Sequence, residues 1–221
     1  VAKATGIPVA KIASLIMIGK KLSEFKLKEK KLDYFSVKEV VFPFARFNNA
    51  DTILGPEMKS TGEVMGIDKT FPMAFAKAQV ATGVKLACEG LVFLSVKDSD
   101  KKYLPEISRK LIEIGFKIVA TRGTAKFLAE NNIAATIVNK ITEDKPHVVD
   151  MIDRKEITLV INTTEGAQAT KDSFSIRRTS LMKGVTYATT ISGAKALIDA
   201  LAAYKANGKR FDVTALQDLQ N

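Results

Sequence analysis

The chain has 221 residues, of which 46% are apolar and 26% charged, so it is long enough to bury one large or two small cores. Its net charge is +10, but the densest basic run, Lys20–Lys31, is interleaved with acidic residues, which favours a solvated surface over a nucleic-acid interface. No apolar run is long enough for a membrane span, no secretory signal is visible, and the single cysteine, Cys88, excludes an internal disulfide and favours a reducing cytoplasm.

Residues 1–85 form a first segment with an irregular pattern. The expected elements, in chain order, are a helix from Pro8 to about Gly19, a strand Val37–Phe42, a loop over 48–66 and a helix Phe71–Ala81 capped by Thr70. Leu22, Leu27 and Leu32, between the lysines, are expected to lie on a packed apolar face. With few paired strands, this segment is interpreted as the edge of a domain whose main body is missing.

Residues 86–221 form a second segment in which strand and helix patterns alternate regularly. The expected strands are Leu91–Val96, Phe116–Ala120, Ala135–Val138, Thr158–Ile161 and Val185–Tyr187. The expected helices run from Leu104 to Ile114 before Gly115, and over Ala125–Asn131, His147–Asp153, Ser173–Lys183 and Gly193–Tyr204. Such alternation predicts an α/β domain with a five-stranded parallel, doubly wound sheet.

Small polar residues and lysines follow the ends of four of these strands. They are Ser95 and Lys101 after the first strand, Thr121 and Thr124 around Gly123 after the second, Asn139 and Lys140 after the third, and Asn162, Thr163 and Thr164 after the fourth. Parallel sheets bind ligands at the carboxyl ends of their strands, so this set predicts a phosphate and sugar site. Each group also has a plainer interpretation, as a helix cap, a surface lysine or a turn, and both interpretations stay open from the residues alone.

Other site chemistries find little support in the sequence. His147 is the only histidine and Cys88 stands alone, so neither a zinc site nor a catalytic triad is expected. His147 lies near a helix start and is interpreted as structural. Arg177 and Arg178 either hold neighbouring elements or face the anion.

Several stretches resemble the C-terminal region of carbamoyl-phosphate synthase large subunits. They are Ala4–Ala10, Ser36–Val41, Leu54–Gly66 and Ala74–Gln79, with Leu54–Gly66 the most specific. The first segment is similar to the tail of the second ATP-grasp synthetic unit, and the second to the methylglyoxal synthase-like fold that the family uses for allosteric control. The chain also lacks an initial Met, so we expect a piece of a longer polypeptide.

The resemblance implies two effector sites. The nucleotide effector of bacterial members, UMP or IMP, would be held by Ser95, Lys101, Thr121, Thr124, Lys140, Asn162, Thr163 and Thr164. Ornithine would bind where the two domains meet, at Glu39, Val40, Phe42, Leu54, Tyr187 and Thr189. Ala188 departs from the acidic residue of some members. The absence of Trp disfavours the branch that binds N-acetylglutamate.

The resemblance also implies what the parent protein does. It would be a cytoplasmic, glutamine-hydrolysing ligase that makes carbamoyl phosphate from bicarbonate, ATP and ammonia for pyrimidine and arginine biosynthesis. ATP with Mg or Mn would bind upstream, so no catalytic residue, cofactor or metal is expected here. The expected partners are the rest of the large subunit, the glutaminase small subunit and the nucleotide, with neither nucleic acid nor membrane. The alternative is a methylglyoxal synthase-type phosphate lyase, but the stretch around Asp144 lacks that enzyme's Gly-Gly-Asp glycines.

Overall fold

The structure is a computed structural model that describes residues 1–28, 31–41, 62–139, 143 and 145–219. The elements of the first segment are α1 (Ala2–Thr5), α2 (Val9–Met17), a 3₁₀ helix (Leu22–Phe25), β1 (Phe35–Val41), β2 (Gly62–Asp68) and α3 (Phe71–Ala81). The predictions of α2, β1 and α3 are confirmed in type and position. The described residues contain no helix with the length and apolar character needed to cross a bilayer.

The first segment contains a paired strand that the sequence did not predict. β2 pairs antiparallel with β1 along its whole length, from Phe35 opposite Asp68 to Val41 opposite Gly62. It occupies part of the expected loop over 48–66. The strand was not predicted because two glycines and the flanking charges interrupt its apolar pattern. The segment is therefore a β-hairpin covered by α3, rather than a set of unpaired elements.

The start of α3 follows the prediction in position but not in detail. Thr70 is the N-cap residue and Pro72 lies in the first turn, as expected. The Thr70 side chain makes no capping hydrogen bond; instead, its backbone N–H donates to Asp68 Oδ1 at 3.4 Å. α3 also packs against a long helix of the second segment, α9 (Ile191–Ala206), and so links the two segments. The boundary at residues 85 and 86 stays a prediction.

The apolar face expected among the lysines is not packed. Leu22 is 59% exposed, Leu27 49% and Phe35 51%. Met17 and Ile18, at the end of α2, are also exposed. The expectation was wrong for Leu22 and Leu27, whereas Leu32 is half-buried. These exposed side chains make up the apolar surface of the first segment.

In the second segment, each strand is followed by one or two helices. Its elements are β3 (Gly90–Ser95), a 3₁₀ helix (Asp98–Tyr103), α4 (Leu104–Ile114), β4 (Phe116–Ala120), α5 (Arg122–Glu130), β5 (Thr136–Ile137), α6 (Val148–Asp153), β6 (Ile157–Asn162), α7 (Ala167–Asp172), α8 (Phe174–Lys183), β7 (Thr186–Ala188) and α9. All five predicted strands are present. The 3₁₀ helix and α7 were not predicted, since both are short and polar.

The five strands form one parallel sheet, as predicted, and their order in it is β5-β4-β3-β6-β7. The chain starts in the centre with β3, moves outward through β4 and β5, and then returns to the other side for β6 and β7. The direction of progression reverses between β3 and β6, whose last residues, Ser95 and Asn162, are paired. Such a switch point opens a crevice at the carboxyl ends of the strands.

Helices cover both faces of the sheet. Along β3, Val92 and Leu94 point into a core shared with α4 and α9, whereas Phe93 points into a second core shared with α6 and α8. Because both faces of each central strand are buried, the strands are continuous apolar runs rather than alternating ones. This explains why their positions could be predicted from the sequence.

The buried face of α4 carries one polar residue. The four positions predicted to be buried, Leu104, Ile107, Leu111 and Ile114, are buried, and Gly115 ends the helix with a φ of 122°. Ser108 lies on the same face, is 0% exposed, and its hydroxyl has no hydrogen-bond partner within the described parts of the chain.

We expect Ser108→Ala to raise the free energy of unfolding by about 1 kcal/mol, because it removes a buried hydroxyl that makes no hydrogen bond. Urea denaturation followed by circular dichroism measures the change. A destabilised variant would show that the hydroxyl has a partner.

Candidate functional site

A cavity of about 540 Å³ lies at the switch point between β3 and β6. This switch-point cavity is lined by Phe93, Ser95, Val96, Lys97, Asp98, Thr121, Val148, Asn162, Thr163, Thr164, Glu165, Ala169, Asp172, Ser173 and Ile176. Five of the eight residues predicted for the nucleotide site are among them: Ser95, Thr121, Asn162, Thr163 and Thr164. The structure therefore brings these five strand-end residues to one cavity, and their role in binding stays a prediction.

Hydrogen bonds between the two central strand ends fix the floor of the cavity. The Thr163 N–H donates to the Ser95 carbonyl at 3.0 Å, which extends the β3–β6 pairing by one residue. The Lys97 N–H then donates to Thr163 Oγ1 at 3.2 Å. The Thr164 and Thr170 hydroxyls lie 3.3 Å apart and join the loop after β6 to α7. The polar groups of the floor are thus held by hydrogen bonds of both backbone and side chains.

Asn162 brings an unsatisfied donor to this floor. The residue is 5% exposed, and its Nδ2 has no hydrogen-bond partner in the described residues. Leaving a buried donor unpaired costs about 1–3 kcal/mol, and most buried polar groups in native proteins are paired. A ligand that accepts a hydrogen bond from Nδ2 would remove this cost.

Thr124 lies in the first turn of α5, and Lys101, on the 3₁₀ helix Asp98–Tyr103, reaches the same turn. The Thr121 hydroxyl donates to Thr124 Oγ1 at 3.3 Å, and both residues are buried. Lys101 Nζ lies 4.0 Å from the position that a Cβ would occupy on Gly123. Two hydroxyls, an ammonium group and the first N–H groups of α5 therefore converge, and this combination suits a phosphate. Lys140, the eighth predicted residue, lies outside the described residues.

Three carboxylates were missed by the sequence analysis. Asp98, Glu165 and Asp172 line the cavity, where Lys97 is the one lining cation among the described residues. Asp98 Oδ1 lies 2.7 Å from Lys101 Nζ, and this hydrogen bond and the lysine's charge lower the pKa of Asp98. Asp172 ends α7, a helix that the sequence did not predict. The site is therefore less basic than the strand-end residues alone suggested.

An apolar wall closes one side of the cavity. It consists of Phe93, Val148 and Ile176, which belong to the core between the sheet and helices α6 and α8. The sequence marks these residues only as core positions, since it does not show which core residues border a cavity. A flat apolar group could lie against this wall.

The residues predicted for ornithine belong to both segments of the chain. Glu39 lies on β1 and accepts a hydrogen bond from Gln79 Nε2 at 3.1 Å. Burial raises the pKa of Glu39, and the bond from Gln79 opposes that shift. Val40 is its neighbour on β1, whereas Tyr187 packs against the core beneath α6 and α8. Phe42 and Leu54 lie outside the described residues.

Thr189 lines an adjoining cavity of about 520 Å³ instead. This cavity shares Lys97, Thr163 and Thr164 with the switch-point cavity and extends to the start of α9. This adjoining cavity was not predicted from the sequence, because its formation depends on β7 lying beside β6. The ornithine assignment stays a prediction.

His147 and Arg177 have structural positions. His147 is the N-cap of α6, as expected from its place near a helix start, and its N–H donates to Asp150 Oδ2 at 2.9 Å. That bond lowers the pKa of Asp150. Arg177 is 3% exposed and donates to the Thr170 carbonyl at 2.9 Å, which ties α8 to α7.

Comparisons with known proteins agree with this architecture. The family model described as the MGS-like domain matches residues 104–189. The chain is 52% identical over 202 residues to the carbamoyl phosphate synthase large chain of Xanthomonas axonopodis pv. citri (strain 306), an alignment that covers 91% of the chain and 19% of that protein. The same-named proteins of Brucella suis biovar 1 (strain 1330) and Myxococcus xanthus (strain DK1622) are 49% and 50% identical over 99% of the chain and 19% and 20% of their own lengths.

The chain thus spans about a fifth of the length of these relatives. Identity near 50% over almost all of it leaves no doubt of common descent, and the parallel sheet fits the domain that the family model describes. The chain belongs to the carbamoyl phosphate synthase large-chain family and includes an MGS-like domain.

Proposed function

We propose that this chain is a regulatory part of a carbamoyl phosphate synthase large chain and that its switch-point cavity binds a nucleoside monophosphate such as UMP or IMP. The observation that carries the proposal is the buried, unpaired Asn162 Nδ2 at the paired ends of β3 and β6. Asn162 lines a cavity whose size is typical of small-molecule sites.

The cavity offers separate surroundings for the three parts of a nucleotide. The phosphate would accept hydrogen bonds from Lys101, Thr121 and Thr124 at the start of α5, as the resemblance implies. The ribose hydroxyls would donate to the Asp172 carboxylate, and the base would lie against the apolar wall. The carboxylates of the lining repel a bare anion, so the ribose and base supply part of the affinity and the selectivity.

Regulation requires that the nucleotide prefer one of two arrangements of the whole protein. The apolar surface of the first segment, including Met17, Ile18 and Leu22, is the proposed contact with the rest of the large chain. A nucleotide that alters how the MGS-like domain packs on that body would change its activity. Ornithine is proposed as a second effector near Glu39, whose carboxylate suits an ammonium group.

The activity of the whole protein follows from the same family. We propose that it is a cytoplasmic ligase that forms carbamoyl phosphate from bicarbonate, ATP and glutamine-derived ammonia, for pyrimidine and arginine biosynthesis, with Mg or Mn. Its ATP-grasp unit would supply the catalytic residues, and a glutaminase small subunit would supply ammonia. The 221-residue chain alone would bind effectors without making carbamoyl phosphate.

Calorimetry with UMP and IMP tests the nucleotide site. We expect the parent to bind both, and Lys101→Met to weaken binding about 10-fold, because it removes a charge-assisted hydrogen bond to the phosphate. Lys102→Met is the matched control, since Lys102 Nζ lies 5.1 Å from the Tyr103 ring centroid, whereas Lys101 Nζ reaches Gly123 in the first turn of α5. Equal losses in both variants would show that the phosphate binds elsewhere.

A phosphate lyase of the methylglyoxal synthase type is the second candidate, because the family model for that domain matches residues 104–189. Asp144, the aspartate nearest to the expected motif, lies outside the described residues. Incubation with dihydroxyacetone phosphate tests the lyase. Turnover at the rate of a true synthase would replace the regulatory proposal.

A further inference from the structure

The ion pair between Asp98 and Lys101 lies where the switch-point cavity meets the start of α5. Asp98 lines the cavity with a side chain that is 93% exposed, whereas the Lys101 side chain is 25% exposed. The two groups are 2.7 Å apart across one turn of the 3₁₀ helix Asp98–Tyr103. Lys101 is therefore the fixed partner of the pair, and Asp98 is the partner that is free to leave.

A phosphate at the start of α5 would contact the same ammonium group that Asp98 contacts. Lys101 Nζ already lies 4.0 Å from the Cβ position of Gly123, so it reaches the first turn of α5. A carboxylate 2.7 Å from Nζ occupies one of its donor directions and repels a second anion nearby. The pKa of Asp98 is lowered, so Asp98 keeps its negative charge at neutral pH.

We propose that Asp98 competes with the ligand's phosphate for Lys101 and thereby raises the nucleotide concentration that is needed to fill the effector site. This inference rests on the proposed nucleotide function. A phosphate dianion can displace the exposed carboxylate, whereas a singly charged carboxylate ligand gains little over Asp98 itself. Asp98 thus weakens nucleotide binding and favours dianionic phosphate over other anions.

Asp98→Asn tests the proposal by calorimetry with UMP. Removing the competing charge is expected to tighten UMP binding about two- to five-fold, the range given by exposed ion pairs. Uridine, which lacks the phosphate, should bind both proteins equally. Asp100→Asn is the matched control: it removes the same charge from the same helix, but Asp100 lines the adjoining cavity. It should change UMP affinity less than two-fold.

A double-mutant cycle with Lys101→Met separates competition for Lys101 from a general change of charge. In the Lys101→Met background, Asp98→Asn should no longer tighten binding. An unchanged or weakened UMP affinity in Asp98→Asn, or an equal gain without Lys101, overturns the inference and leaves the nucleotide site intact. If the parent binds neither UMP nor IMP, both the proposed nucleotide site and the inference about Asp98 are wrong.

Discussion

Gly66→Ala is expected to lower the free energy of unfolding by about 3–4 kcal/mol, because α3 leaves no room for a methyl group on β2. A Cβ at Gly66 would lie 2.0 Å from the Ala74 carbonyl oxygen and 2.5 Å from the Ala78 nitrogen. Both are backbone atoms of α3, so relief requires the helix to move off the hairpin. Since α3 also packs on α9, the displacement would reach the second segment.

Gly62→Ala is the control for this substitution. A Cβ at Gly62 would meet Val41 Cβ at 4.0 Å, an ordinary contact, so its stability should stay within about 0.5 kcal/mol of the parent. Urea denaturation of the three proteins, followed by circular dichroism, gives the comparison. A parental transition in Gly66→Ala would mean that β2 and α3 are farther apart than described.

Asn162→Asp is expected to weaken UMP binding about 100-fold at pH 8, since it replaces a donor by a negative charge without changing the side-chain volume. Asn162 Nδ2 is the unpaired donor of the cavity floor. A carboxylate there adds to the repulsion from Asp98, Glu165 and Asp172. Calorimetry with UMP measures the loss.

Asn162→Leu separates binding from folding. It removes the donor without adding charge, so UMP should bind about 10-fold more weakly. Its stability should equal or exceed that of the parent, because no buried donor is left unpaired. Parental UMP affinity in both variants would show that Asn162 does not contact the ligand.

The elements of the second segment could be predicted because their signals are local. β4 was predicted at Phe116–Ala120 and is found there, and β3 differs from its predicted bounds by one residue at each end. A strand buried on both faces needs only a continuous apolar run, and Gly115 marks the end of α4 through its backbone conformation.

The first segment could be predicted only in part, because its hairpin is not local. β1 and β2 are separated by more than a typical turn, and Gly62 and Gly66 weaken the pattern of β2. The closeness that makes Gly66 necessary depends on α3, which follows β2 in the chain. The prediction for the exposed leucines was wrong for a similar reason. An apolar residue type indicates that a side chain is suited to burial, but it does not show that another element packs over it.

By itself, the sequence determined where the strands of the α/β domain lie, which faces of its helices are buried, and that small polar residues follow the strand ends. The tertiary structure alone decided that β6 lies beside β3, which places Asn162 next to Ser95 and opens the cavity between them. It also brought Asp98, Asp172 and the apolar wall to the same cavity. Periodicity specifies the faces and ends of an element, but the lateral order of strands depends on how helices pack across both faces of the sheet.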